Sequence, residues 1–459
     1  MGEPDQWSAP FEKYGAWWNA GDREKRANGT LSFSPAAGLR LTTTESVVLV
    51  PPFGDKPATL NGLVEGVYWT LGDCVCTSTG STGQSFLVDY AISGVGMDAD
   101  EVEQLDELRI GFDGGWSTVA LRPRGPNDIR SDAISITADL AEGGSVELVS
   151  ELESLDVSRD GAFGFHDHLR FVGRAKSPMN FRDLHQTLFV PLRDLVILAL
   201  QRDVALTHCR VAGPGTTVSV GAREHRVSAI VYWNQVTTPD LAEGGARKHP
   251  AIRFPSEPAD FQRFVASWFS LHDQLKTPIS IRVAEITGGA SFAEPLFLLA
   301  AHSLEALHRR LHPGETDAAA IAARGAALAA VVDEHRHVLA LRLSHAHEPT
   351  FRKRIKQLVA EVEVPAANVV GAQLRKAVAL IVESRNAVTH WEPTNEEPDG
   401  LLLFALRMVA DAVFDLVLFK RVGLNDDELN GTVRAHQERD VEYWLGRALQ
   451  AETNAQPGK

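Results

Sequence analysis

The chain has 459 residues, 44% of them apolar and 23% charged, with a formal net charge of −15. That length exceeds one ordinary core, so two or three domains are expected. No run of about 18 apolar residues is present, which excludes a transmembrane helix, and "MGEPDQWSAPFEKYGAWW" lacks the basic segment and apolar run of a secretory signal, so a cytoplasmic protein with no membrane partner is expected.

The first ~280 residues carry short apolar or alternating runs bounded by Gly, Pro, Asp and Thr. They are "GTLSFSPAAGLRL", "ESVVLVPPF", "GVYWTLGDCVCTS", "SFLVDYAISGV", "ELRIGFDGGW", "DAISITADL", "SVELVSEL" and "HLRFVGRA". Such spacing predicts an antiparallel β sandwich or barrel-like domain. Cys74 and Cys76 share one face of a strand. With Cys209 they lack further ligands at zinc spacing and read as free thiols in a reducing compartment. "STGSTGQSF" lacks the Lys of a phosphate loop and reads as a hairpin turn. A helix is predicted over "MNFRDLHQTLFVPLRDLVILAL", strands resume at "TTVSVGA" and "HRVSAIVYW", and "DFQRFVASWFSLHDQ" is helical again.

From about Ala290 the pattern is helical almost throughout. The segments "FAEPLFLLAAHSLEALHRRL", "TDAAAIAARGAALAAVVDEH", "TFRKRIKQLVAEV", "VVGAQLRKAVALIVESRNAVTHW", "LLLFALRMVADAVFDLVLFKRVG" and "VRAHQERDVEYWLGRALQ" space apolar residues three to four apart. Short connections between them predict antiparallel neighbours in a bundle. The fold class is therefore α+β and multidomain. A β-rich region over 1–285, in one or two subdomains, precedes an all-α region over 289–455, with the boundary near Gly288.

Several clusters could carry chemistry. His166, Asp167 and His168; His335, Arg336 and His337; and His345, His347 and Glu348 each offer paired metal ligands, but read more simply as solvated loop or helix-end residues. No metal or other cofactor is expected. "FRKRIK" places Arg352, Lys353, Arg354 and Lys356 together, either a solvated helix face or a phosphate-contacting patch in an otherwise acidic chain. In "LEALHRRLH", Glu305 and Arg309 suit an i,i+4 ion pair.

"IVESRNAVTHWEP" is the sharpest candidate. Val370, Leu374, Val378 and Ile381 share a helical face, and Arg385 continues it. A mid-face Arg is costly unless paired or set at a polar interface. His390 follows five residues later, about 140° further round an ideal helix, and Pro393 ends the helix close to it. These residue types suit RNA cleavage. RNA supplies its own 2′-OH nucleophile, an imidazole can take that proton near neutral pH, and a guanidinium can neutralise the phosphorane oxygens without a metal.

"RNAVTH" on the penultimate long helix of a C-terminal bundle resembles the motif of the HEPN ribonuclease superfamily: Arg, four to six residues, then His. "FLLAAHSLEALHRR", with Glu305, His308 and Arg309, and "YGAWW…GTLSFSPAAGLRL" are similar to the ApeA-like branch. The resemblance implies a metal-independent endoribonuclease acting on cellular RNA, tRNA among the candidates. It implies an anti-phage abortive-infection effector, a homodimer or higher homo-oligomer formed through the HEPN domain, a β-rich sensor and a phage-derived trigger. Arg385 would hold the phosphate, His390 act as general base or acid, and Asn386 orient Arg385 or bond the phosphate, while Arg352, Lys353 and Arg354 contact the RNA backbone. The expected product is a 2′,3′-cyclic phosphate. Two other classes stay open: a non-catalytic scaffold binding nucleotide or a partner, and a carbohydrate-binding β sandwich using Trp17, Trp18 and Trp69, residues that otherwise belong in a core.

Overall fold

A computed structural model describes residues 10–34, 37–47, 58–81, 83–112, 135–154, 165–220, 223–233, 250–255, 257–288, 292–316, 318–344, 348–390 and 399–455. They fall into two compact units: 1–196 with 203–246 and 254–266, and 197–202 with 247–253 and 267–459.

The first unit is built on strands β1 (Phe11–Asn19), β2 (Ala27–Ser34), β3 (Gly38–Thr43), β4 (Ala58–Val64), β5 (Val67–Gly80) and β6 (Gly83–Val88). They pair in the order β4-β1-β2-β3-β6-β5, and β5 returns to β4, closing a barrel. Closure leaves these strands no free edge. Trp17 and Leu31 are fully buried, and the Trp17 indole donates to the Gly29 carbonyl at 3.1 Å. Gly62 lies beneath that ring, where a Cβ would come within 2.2 Å of it. Trp18 and Trp69 are likewise buried, at 4% and 5% exposure, so the tryptophans invoked for a sugar site belong to the core.

Long β5 then joins an open sheet of β7 (Tyr90–Ser93), β15 (Ala229–Trp233), β12 (Leu206–Ala212), β8 (Leu105–Phe112), β11 (Phe165–Met179), β10 (Gly144–Ser154) and β9 (Ser135–Asp139), in that order. A separate hairpin pairs β13 (Thr217–Val220) with β14 (Arg223–Arg226). The expected turn at "STGSTGQSF" is the β5–β6 hairpin, with Gly80 opposite Gly83. Cys74 and Cys209 are buried and Cys76 is half-buried, all as free thiols. The expected helix after β11 begins at Phe181–Leu184, widens into a π turn at His185–Phe189 and continues as α1 (Val190–Leu200). Pro191, which lacks an N–H, follows that wide turn directly. "HDH" falls on β11, with its side chains outside the described residues, as are residues 48–53 of "ESVVLVPPF".

The helices are α2 (Pro258–Gln274), α3 (Lys276–Thr287), α4 (Ala293–Leu311), α5 (Ala318–Ala330), α6 (Asp333–Arg342), α7 (Phe351–Glu361), α8 (Glu363–Val370), α9 (Leu374–His390), α10 (Gly400–Val422), α11 (Asn430–Gln437) and α12 (Val441–Ala455). Helix α3 lies before the boundary expected near Gly288, yet it belongs to the helical unit and packs on α4. The centre of that unit is α10, buried almost all round and touched by α4, α7, α8, α9, α11 and α12. Asp399 caps its start, and Gly423 ends it in the left-handed conformation at φ +110°. By contrast α5 and α6, where His335 and His337 lie, bury none of their residues.

A charged network crosses this core. Arg282 on α3 donates to Asp415 on α10 at 3.0 and 2.9 Å and to Gln201 at 3.0 Å, and it lies 3.1 Å from Asp411 and 3.3 Å from Glu285. His436 on α11 meets the same Asp415 at 2.9 Å. Arg282, Asp411, Asp415 and His436 are all at most 1% exposed. Charges buried this deeply persist because each offsets another. Burial, opposed by the arginine, acts on Asp415, whose carboxyl ends well below the usual carboxylate range because Arg282 and His436 outweigh its desolvation.

Candidate active site

Helix α9 buries Leu374, Ala377, Val378, Ile381 and Val382 against its neighbours. Arg385 continues that face one turn beyond Ile381, with its side chain 22% exposed. Three groups hold the guanidinium. Nη2 donates to Glu305 Oε2 at 3.3 Å, Nη1 to Asn386 Oδ1 at 3.3 Å, and Cζ lies over the Phe351 ring, 5.1 Å from its centre. Nε is buried and has no hydrogen-bond partner among the described residues. An Arg has five N–H groups, so one on each Nη has no partner among the described residues.

Glu305 on α4 does not serve Arg385 alone. Its other oxygen accepts from Arg309 at 3.1 Å, the i,i+4 pair expected from the sequence. Arg309 Nη1 reaches Glu348 at 2.7 Å, and Glu348 accepts from Arg354 at 2.9 Å. The result is an alternating chain, Arg385–Glu305–Arg309–Glu348–Arg354, with three cations and two anions. It ties α4, α7 and α9 together around one edge of the bundle. Its far end is closed, because Arg354 is 4% exposed and also donates to the Pro349 carbonyl at 2.9 Å.

That placement corrects one expectation. Arg354 is a structural cation facing inward beside Ile355 and Leu358, and it cannot contact an RNA backbone from there. Arg352 is exposed and lies 3.4 Å from Glu383, whereas Lys353 is half-buried. Arg352 also lines a cleft of about 360 Å³ between α7 and α9, with Lys356 and Arg375 beside it and Val359 and Val378 beneath. Glu363 is the acid on its rim. Lys356 was one of the four cations of "FRKRIK", whereas Arg375 carried no distinguishing signal in the sequence; only the pairing of α7 with α9 brings both to Arg352.

His308 has a separate task. It is fully buried, and its Nε2 lies 2.8 Å from Gln357 Oε1 on α7, while Gln357 Nε2 donates to Glu315 at 2.7 Å. Burial lowers its pKa, so the ring is held neutral as a buttress between α4 and α7. It faces Gln357 and not Arg385.

Asn386 is exposed beside Arg385. His390 is the last residue of α9, where the expected helix end falls, and its side chain is outside the described residues. An ideal helix puts Arg375, Ala379 and Asn386 within about 40° of one another, so Asn386 shares a stripe of α9 with two residues of the cleft, while Arg385 lies about 100° round from Asn386. His345 and His347 also lie outside the described residues. The sequence isolated Arg385 and Asn386, but Phe351, Glu348 and Gln357 become partners only through the fold.

Two family models match the chain: one described as Apea-like HEPN over residues 298–428, the other as ApeA N-terminal domain 1 over residues 12–268. No curated protein matches it, and no solved structure does.

Proposed function

The chain belongs to the ApeA-like HEPN family, and from that premise we propose that it is a metal-independent endoribonuclease acting as an anti-phage abortive-infection effector. The observation that carries this reading is the state of Arg385: fixed by Glu305, Asn386 and Phe351, yet with an N–H on each Nη that has no partner among the described residues.

In the proposed reaction Arg385 grips the non-bridging oxygens of the scissile phosphate. The 2′-hydroxyl attacks phosphorus as its proton passes to a general base. The 5′-oxygen leaves with a proton from a general acid, and a 2′,3′-cyclic phosphate remains. His390, five residues on, is assigned one of the two proton transfers. Positive charge at the phosphorane is worth most where the donors are already oriented, and Glu305 and Asn386 supply that orientation. Arg352, with Lys356 and Arg375 along the cleft, is assigned to the RNA strand on one side of the cut. A homodimer would bring a second Arg385–His390 pair to the same phosphate and supply the other proton-transfer group. RNA cleavage, tRNA as its target and the phage trigger all belong to this proposal.

The test is incubation of the full-length protein with total RNA in EDTA, beside Arg385→Ala and His390→Ala. Discrete fragments ending in 2′,3′-cyclic phosphate, lost in both variants, are expected. Cleavage by folded variants at the parental rate would overturn the assignment. A scaffold that binds nucleotide without cutting is the second reading, favoured if RNA stays intact under every condition in which the protein binds it.

A further inference from the structure

The open sheet of the first unit holds a second cationic site. On β8, Arg109 and Gly111 point to one face, because residues two apart on a strand do so. The register sets Arg210 opposite Arg109. It sets Arg170 on β11 and His208 on β12 opposite Gly111, one from each side. Gly111 has no side chain to fill the gap, and a Cβ there would meet His208 Cβ at 3.1 Å and Thr207 Oγ1 at 3.2 Å. What results is a cavity of about 220 Å³ lined by Arg109, Arg170, His208, Arg210 and Ser228.

Three guanidiniums converge here. Glu107 is the acid paired with Arg109, at 2.8 Å, but it also serves Arg174 at 3.2 Å, so its charge is divided. Arg170, His208 and Arg210 have further interactions within the protein, so none is a bare charge. Arg109 still stands directly across the ladder from Arg210, so an anion in the cavity would lie between two guanidiniums. Arginine forks match the oxygens of phosphate, and the Ser228 hydroxyl adds a donor. The volume falls below the several hundred Å³ of a drug-sized site, which suits a phosphate with a small organic remainder and not a polymer.

We propose that this cavity is a binding site for a small phosphorylated ligand. The proposal rests on the sheet register and is independent of the nuclease reading. Inorganic phosphate and pyrophosphate serve as probes with the full-length protein, followed by calorimetric titration and thermal unfolding against sodium chloride of equal ionic strength. Saturable binding and a rising unfolding temperature are expected. Arg170→Gln and Arg210→Gln should each weaken binding at least tenfold, while Arg385→Ala leaves it unchanged. Thermal unfolding in phosphate-free buffer shows whether each Gln variant is folded before its binding is compared with the parent's. Absence of saturable binding to the parent would overturn the proposal. So would binding that persists in both Gln variants, or that disappears in Arg385→Ala.

Discussion

Replacing Glu305 with Gln isolates what the ion chain does for Arg385. The substitution keeps size and leaves an amide oxygen able to accept a hydrogen bond, but removes the charge. A hydrogen bond to a charged group contributes about 1.5–3 kcal/mol and a neutral one about 1 kcal/mol. With Arg385 22% and Glu305 17% exposed, solvent screening reduces the difference to about 1 kcal/mol. The loss falls on Arg385, since Arg309 keeps its 2.7 Å contact with Glu348. If that energy holds the guanidinium in its cleavage pose, kcat should fall roughly five- to tenfold. KM should hardly move, because the cations of the α7–α9 cleft are untouched.

The assay is single-turnover cleavage of a defined RNA over a range of enzyme concentrations, with thermal unfolding alongside. A folded Glu305→Gln protein with parental kcat would refute the idea that Glu305 positions Arg385. An effect confined to KM would refute it too, because a merely structural or attractive role changes binding and leaves the chemical step alone.

Other expectations follow from the same structure. Arg282→Met leaves Asp411 and Asp415 buried beside an uncompensated gap, which costs about 3–5 kcal/mol; calorimetry should show the helical unit melting on the order of 10 °C lower, and a shift within 2 °C or so would mean the network contributes little. Burial first and Asp411 second push the Glu285 carboxyl up to about 8 from 4.5, so the folded state holds that proton where the unfolded chain releases it, and stability falls as pH rises through that window by up to about 1.4 kcal/mol per unit. Burial lowers the pKa of His436, which opposes this effect below 6.5; urea midpoints should therefore drop from about pH 6.5 to 8, where the histidine is neutral in both states, and Glu285→Gln should abolish the drop. Lys356→Glu and Arg375→Glu should raise KM for RNA several-fold at constant kcat and flatten the salt dependence by about 0.7 in log–log slope per lost contact; an unchanged slope would remove the cleft from the RNA path.

Much of the architecture was legible where local pattern and tertiary packing agree. Alternation marked β2, β3, β5, β6 and β8 because one face of each meets a core. It failed at β4, "ATLNGLV", where Asn61 and Gly62 interrupt the pattern. Asn61 is nevertheless buried, donating to the Met97 carbonyl at 2.9 Å and accepting from Thr70 at 3.0 Å, and neither partner can be inferred from its neighbours. The active-site candidate divides in the same way. Arg385 stood out because an Arg on an apolar face needs a reason, but the reason is Glu305, 80 residues earlier. In "FRKRIK" the four cations looked alike, while helical phase alone sends Arg354 inward with Ile355 and Leu358. Lys356 could not be told from the other three, and only α9 gives it a cleft to line.

The acidity of the chain and the charge of its candidate site are not in conflict. A net charge of −15 repels polyanions at long range, but salt screens that field within about 8–10 Å. Close to the bundle edge, the relevant charges are those of Arg385, Glu305, Arg309, Glu348 and Arg354, which sum to one positive charge. That charge cannot be met at Arg354, whose guanidinium is buried against Glu348 and the Pro349 carbonyl. Nor is it met at Arg309, which has a carboxylate on either side. It is left at the Arg385 end, where one N–H on each Nη has no partner among the described residues. A protein arranged in this way holds its uncompensated charge at one guanidinium, the place where the proposed reaction would develop negative charge on a pentacoordinate phosphate.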